Sequence, residues 1–249
     1  MTNLQPVQSP RIISWFSCGA ASAVATILAA IKYGTIEAVY CRVVEEHEDN
    51  LRFLDDFTRV TGIPVKTLVD EQSGGSIYNV FLKRGYIKNQ YGAPCTMILK
   101  KDMRKSYQRP DDVQIFGYTV EEQDRADRFI DGNNDVSEDF ILIDNKVTKK
   151  DCYGYLRNLG LRLPVMYHLG YQNNNCIGCV KGGMGYWNKI RRDFPERFEK
   201  MAKVERIIGH AVNKDANGPV YLDQLAPNRG RFKEDSPGDC GFTCEVKES

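Results

Sequence analysis

The sequence has almost no excess of charge: 34 lysines and arginines face 33 aspartates and glutamates, a formal net charge of +1. No global field therefore advertises a nucleic acid or a membrane surface as partner. Long apolar runs are missing too. None reaches the length that spans a bilayer, and the opening stretch MTNLQPVQSP lacks the apolar core of an export signal. These absences set the expectation of a soluble, cytoplasmic protein with no membrane partner. Internal repeats, heptad arrays and low-complexity segments are absent as well, which excludes solenoids and coiled coils. No Gly-Lys-Ser/Thr ending of a Walker loop occurs after the first apolar run.

What is present is a chain of 249 residues, 42% hydrophobic, long enough for one sizeable core plus a smaller appendage. Its organising stretch is Arg11 to Tyr33. Ile12, Ile13, Trp15 and Phe16 suit a buried parallel strand, whereas Val24, Ile27, Leu28 and Ile31 recur at helical spacing. Between them Ser17, Cys18, Gly19, Ala20, Ala21 and Ser22 are all small. Small side chains at a helix start let backbone N–H groups approach an anion, with the helix dipole adding to the attraction. An ordinary strand-to-helix turn is the plain alternative.

Further β-rich runs lie at 36–44, 65–69, 113–117 and 140–143, with helical patterns at 51–60, from Ser76 as N-cap, at 95–107 behind Pro94, and at 121–130. Such alternation predicts an α/β fold, a doubly wound parallel sheet with ligands at the carboxyl ends of its strands. Beyond a loose boundary near 145 the character changes. The second part, 146–249, opens with a capping-box pattern at Thr148 to Asp151 and is then helical, loop-rich and rich in cysteine, with helices expected at 181–192 and 195–210 and an ordered loop from Asn213 onward.

Eight cysteines in a large chain without an export signal point to metal or redox chemistry rather than disulfides. Cys176-Ile-Gly-Cys179 places two thiols within reach of one metal or cluster, and Cys240 and Cys244 add a second pair. A structural zinc on these four cysteines is one reading and a thioredoxin-like dithiol another; Cys18 and Cys41 sit in apolar surroundings that suit inert core positions. Glu45, Glu46, His47 and Glu48 follow the second strand, where carboxylates could hold Mg2+ or ribose hydroxyls. Lys181, Lys189, Arg191, Arg192, Arg197 and Lys200 form a basic run that reads as a solvated face or, more sharply, as a nucleic-acid groove.

The pattern Ser17, Gly19, Ser22 resembles the PP-loop of the adenine-nucleotide alpha hydrolase superfamily, and residues 148–179 resemble the PAPS reductase family through Asp151, Tyr155, Leu156, Gly160, Pro164, Tyr167, Gly170, Tyr171, Cys176 and Cys179. Ala21 stands where ATP pyrophosphatases carry an acidic residue, which leans toward the reductase branch. The resemblance implies an adenine nucleotide (PAPS, APS or ATP) on Ser17, Cys18, Gly19, Ala20 and Ser22, and on Gly117, Glu122 and Arg125 after the fourth strand. It also implies a 4Fe-4S cluster on Cys95, Cys176 and Cys179. Asp239-Cys240-Gly241 resembles the family's nucleophile motif, so Cys240 is the expected nucleophile and Cys244 the fourth ligand. Expected partners are an electron donor such as thioredoxin and a second copy of the chain. Two departures stand out: Thr119 replaces an arginine, and Cys95 stands alone where cluster-bearing relatives have a cysteine pair. Both favour the alternative of an ATP-dependent iron–sulfur thiolase acting on tRNA or DNA, and a zinc-bearing, non-catalytic nucleotide module is the third reading.

Overall fold

The computed structural model describes residues 10–238 and 240. Five strands, β1 (Ile12–Trp15), β2 (Glu37–Cys41), β3 (Val65–Leu68), β4 (Val113–Ile115) and β5 (Ser137–Asp139), form one sheet in the order β3-β2-β1-β4-β5. The registers Ile13↔Glu37, Ile12↔Val113 and Val113↔Ser137 are parallel. The chain steps outward from β1 to β3 and then returns to the other side of β1 with β4. The order therefore reverses between β1 and β4, and their carboxyl ends mark the switch point at which open α/β sheets bind ligands.

The helices α1 (Ala20–Tyr33), α2 (Asp49–Thr61) and α3 (Ile77–Arg84) follow the first three strands. In α1 the buried residues include Ala20, Ala21, Ala23, Ala25 and Ala29, and side chains this small bring its axis close to its neighbours. A continuous helical stretch follows: α4 (Pro94–Thr96), a π-helical stretch Met97–Asp102 and α5 (Met103–Tyr107), with Pro94 in the first turn. This stretch carries Lys100, Lys101, Arg104 and Lys105, yet Lys100 is 7% and Arg104 1% exposed.

Next come α6 (Gln123–Asp131), α7 (Ile141–Asp144), α8 (Lys149–Asn158), α9 (Val165–His168), α10 (Met184–Asp193) and α11 (Pro195–Ile208). The Thr148 capping box is formed, with Asp151 N–H donating to Thr148 Oγ1 at 3.1 Å. The fifth strand departs from the sequence expectation. The apolar run Phe140 to Leu142 is buried as the start of α7, and the polar Ser137–Asp139 pairs with β4 instead. A short apolar run fits a buried helical turn as well as a strand. The tail also holds more structure than a loop: β6 (Asn213–Asp215) and β7 (Gly218–Val220) form a hairpin, followed by α12 (Phe232–Asp235).

Chain contacts divide the protein into two interleaved units, the first being Met1–Tyr40, Phe57–Lys66 and Gln108–Leu161, the second Cys41–Asp56, Thr67–Tyr107 and Arg162–Ser249. Composition along the chain changes near residue 145 but carries no trace of the earlier segments recruited into the second unit. In the first unit Phe116 packs on Phe129 at 4.4 Å between ring centroids, and Tyr118 stacks on Phe140 at 5.5 Å. The second unit's core gathers Phe81, Ile87, Leu99, Met166, Trp187, Ile190 and Met201.

One carboxylate ties α11 to the tail. Glu205, fully buried, accepts the backbone N–H groups of Val212 at 2.5 Å and Leu222 at 2.7 Å. Burial outweighs these bonds and pushes its pKa up to about 7. A folded-state value above the unfolded one gives stability that is full below the unfolded pKa and is lost as pH rises through about 7. The unfolding free energy from urea titrations is therefore expected to fall between pH 5 and pH 8, by on the order of 2 kcal/mol from this group. Glu205→Gln flattens that slope while lowering stability overall.

Candidate nucleotide loop and thiol centre

In the first unit the residues between β1 and α1 make a closed turn. Ser22 Oγ accepts the Ser17 backbone N–H at 3.0 Å and the Ser17 hydroxyl at 3.1 Å, and donates to the Gly19 carbonyl at 3.0 Å. Both serine hydroxyls thus shape the loop. Cys18 is buried with a φ of +57°, a left-handed conformation that a non-glycine residue adopts under strain. Gly19 caps α1 without a side chain.

The exit of β4 lies against this turn. A Cβ on Gly117 would stand 2.5 Å from Ser22 Cα, so backbone meets backbone and only glycine fits. Beyond it, Thr119 N–H donates to Glu122 Oε2 at 3.2 Å in a capping box, and Arg125 binds Glu122 Oε1 at 2.5 Å. The Arg125 guanidinium also covers the Tyr118 ring at 4.4 Å. Glu122 and Arg125 are held to each other in this arrangement.

The second unit gathers thiols. Cys176 and Cys179 are 7% and 6% exposed at the ends of a tight turn in which Gly178 has a φ of +80°. Tyr186 Oη accepts N–H bonds from Gly178 at 3.2 Å and Cys179 at 3.0 Å and donates to the Cys176 carbonyl at 3.3 Å. The preceding asparagines bring in the tail. Asn175 accepts from Cys240 N–H at 2.9 Å and donates to the Gly238 carbonyl at 2.9 Å, while Asn173 donates to the Pro237 carbonyl at 3.0 Å. Cys240 is 8% exposed, with its Sγ 4.0 Å from Thr96 Oγ1.

Lys100 provides the charge of this centre. Its ammonium donates to the Cys240 carbonyl at 3.3 Å and pairs with Glu46 at 3.4 Å. Glu46 accepts from Asn50 at 3.1 Å, and Asn50 accepts from Asn174 at 2.8 Å. Burial works against the charge on Lys100, but Cys240, Glu46, Cys176 and Cys41 more than offset it and hold its pKa well above the usual range. Cys176 goes the same way for another reason: burial, then Glu46, raise its thiol, and Lys100 opposes them only in part. Burial also lifts Cys41 and Cys152 to about 12, as suits neutral core thiols.

The other expected site residues are placed less centrally. Cys95 is half-buried and packs against the core cluster that contains Cys176 and Cys179. Cys244 lies outside the described residues. Glu45, expected beside a nucleotide or Mg2+, caps α3 instead, accepting from Ser76 Oγ at 2.7 Å and Ile77 N–H at 2.9 Å. Among the described residues, no three His, Cys, Asp or Glu side chains converge as a metal site. Three buried thiols, Cys176, Cys179 and Cys240, are nevertheless the donor type that suits a thiophilic group. Lys100, Asn173 to Asn175 and Tyr186 were missed by sequence reasoning, and Glu46, expected beside a nucleotide or Mg2+, pairs with Lys100 instead. Three successive asparagines before the first cysteine were the available signal.

No family model and no curated protein matches the sequence. The solved structures that match it include two sulfur-related enzymes. A PAPS reductase from Candida auris in complex with phosphate is 10% identical, covering 67% of this chain and 81% of its own, with a TM-score of 0.47. The U34-tRNA thiolase NcsA from Methanococcus maripaludis, solved with its 4Fe-4S cluster, is 15% identical, covering 85% of this chain and 76% of its own, with a TM-score of 0.44. The fold itself stands on the strand order and register of this chain. No helix among the described residues is long and apolar enough to cross a membrane.

Gly117→Ala is expected to destabilise the protein by roughly 1–3 kcal/mol, because the added methyl overpacks against Ser22. Lys100→Ala leaves Glu46 buried without its cation and is expected to cost roughly 3–5 kcal/mol, most of it recovered in Lys100→Met/Glu46→Leu. Thermal and urea unfolding of the variants check both.

Proposed function

We propose that this chain is an enzyme that binds an adenine nucleotide at the Ser17 to Ser22 loop and performs sulfur chemistry at Cys240, in the manner of sulfonucleotide reductases. The observation that carries this reading is the burial of Cys176, Cys179 and Cys240 with the ammonium of Lys100 bonded to the Cys240 main chain. A cation held this close to Cys240 would favour its thiolate, the form that reacts.

The loop amides and the start of α1 would hold phosphate, and Gly117 allows the approach. Cys240 thiolate would attack the sulfur of the sulfonucleotide, forming an S–S bond while the S–O bond to the nucleotide phosphate breaks and its electrons leave with that phosphate. A dithiol donor of the thioredoxin type would then release sulfite, reforming the Cys240 thiol and leaving the donor oxidised. Cys95, Cys176 and Cys179, with Cys244 as fourth, would hold an iron–sulfur cluster, which when bound supplies a polarising charge beside the sulfur.

The second reading is an ATP-dependent thiolase acting on tRNA or DNA, favoured by Thr119 in the arginine position and by Cys95 standing alone. A nucleotide-binding module with structural zinc is the third. Calorimetry against PAPS, APS and ATP separates them. The reductase reading expects a sulfonucleotide to bind more tightly than ATP, with Cys240→Ser abolishing turnover but preserving binding. Preference for ATP with turnover surviving Cys240→Ser supports the thiolase, and indifference to all three nucleotides removes every nucleotide reading.

A further inference from the structure

Cys240 stands at the end of a segment whose bonds to the rest of the second unit run through its main chain. Asn173 and Asn175 donate to the Pro237 and Gly238 carbonyls, Cys240 N–H donates to Asn175 Oδ1, and Lys100 donates to the Cys240 carbonyl. Further back, Gln172 donates to the Lys233 carbonyl at 3.3 Å. Carbonyls recur at every residue and amides at nearly every one, so these bonds do not by themselves decide which residue lies opposite Asn175. A slip of one residue along an extended segment moves each side chain by about 3.3 Å and turns it to the other face. A side chain has to fix the register.

The carboxylate of Asp235 sits at the start of α10. Its Oδ2 accepts the Gly185 N–H at 2.6 Å and the Arg231 N–H at 2.9 Å, and the Asp235 carbonyl accepts the Gly183 N–H at 2.8 Å. Two of the N–H groups that the first turn of α10 cannot use internally are thus taken up, with the helix dipole adding to the attraction. The two segments meet backbone to backbone: a Cβ on Gly185 would stand 2.5 Å from the Arg231 main chain, and Gly230 enters the contact with a φ of +82°. Phe232 packs nearby, 5.7 Å from the Tyr171 ring, but a ring contact tolerates sliding that a carboxylate bonded at 2.6 Å does not. We propose that Asp235 is the positioning residue for Cys240: latched on the start of α10, it sets the register of the residues that follow and so holds Cys240 at Lys100 and at the turn of Cys176 and Cys179. This role rests on the reading of Cys240 as the reacting thiol and supplies the group that puts the thiol in place.

Alkylation of the folded full chain by iodoacetamide, followed cysteine by cysteine with mass spectrometry, tests this role. Cys240 is 8% exposed and is expected to react slowly in the wild type. Asp235→Ala is expected to raise the Cys240 rate by about tenfold or more, because losing charge-assisted bonds increases the population in which the segment is undocked. Cys152, fully buried in the first unit, stays slow in the same sample and reports on general loosening. Asp235→Asn, whose amide oxygen accepts the same two N–H groups, is expected to remain within about threefold of the wild type, neutral acceptors being the weaker ones. Gly185→Ala keeps the carboxylate but pushes the Arg231 main chain off α10, and is expected to speed Cys240 as Asp235→Ala does. A Cys240 rate unchanged in Asp235→Ala, Cys152 accelerating together with Cys240, or Asp235→Asn reacting as fast as Asp235→Ala each overturns the assignment. Since no nucleotide enters this assay, its outcome is separable from that of the function proposed above.

Discussion

The ion pair between Lys100 and Glu46 sets the terms for the second unit. Two charges at 8% and 3% side-chain exposure are tolerated only when every remaining hydrogen-bonding group around them is arranged to serve them. Asn50 takes the second oxygen of Glu46, Asn174 holds Asn50, and the Cys240 carbonyl takes the ammonium. The π-helical stretch Met97–Asp102 contains Lys100, and departures of this kind from α-helical register occur often at functional sites. The pair thereby links the helix behind Pro94, the segment after β2, the asparagine run and the tail into one polar network inside an apolar core. A network of this kind specifies one arrangement of its thiols, because each alternative strands a buried charge.

The first unit obeys a different constraint, that of close backbone approach. β4 ends on a glycine because the start of α1 leaves no room for a Cβ, and the turn before α1 is closed by a serine that serves as acceptor and donor at once. The strain at Cys18 belongs to the same turn. These features sit where a parallel sheet reverses its order, the place at which open α/β sheets bind ligands. The two units thus differ in physical character, with close backbone approach in one and a buried ion pair near sulfur in the other.

The legible parts of the sequence were those governed by local pattern. Strand, small-residue turn and helix at Arg11 to Tyr33, Pro94 as a helix start, and the Thr148 capping box depend on neighbours in sequence, and all three are formed. Phe140 to Leu142 was ambiguous in principle, since three apolar residues fit a strand or a helical turn equally well. Lys100 was illegible for another reason. In a run containing Lys101, Arg104 and Lys105 it reads as one more surface cation, and only Glu46, 54 residues away, shows why it is buried. The same holds for Glu45, whose carboxylate caps a helix 32 residues further on. The asparagines before Cys176 gave no such pattern, and their side chains act as clamps on Asn50 and the tail.

The central claim is that the buried thiols form a centre for thiophilic chemistry rather than a core that happens to be rich in sulfur. Iron, acid-labile sulfide and zinc quantitation on anaerobically isolated protein, joined to X-ray absorption at the metal edge, tests it most directly. The account predicts iron and sulfide in comparable amounts with a first shell of sulfur that is lost in Cys176→Ala/Cys179→Ala. Zinc without iron or sulfide, or no bound metal at all, would contradict it.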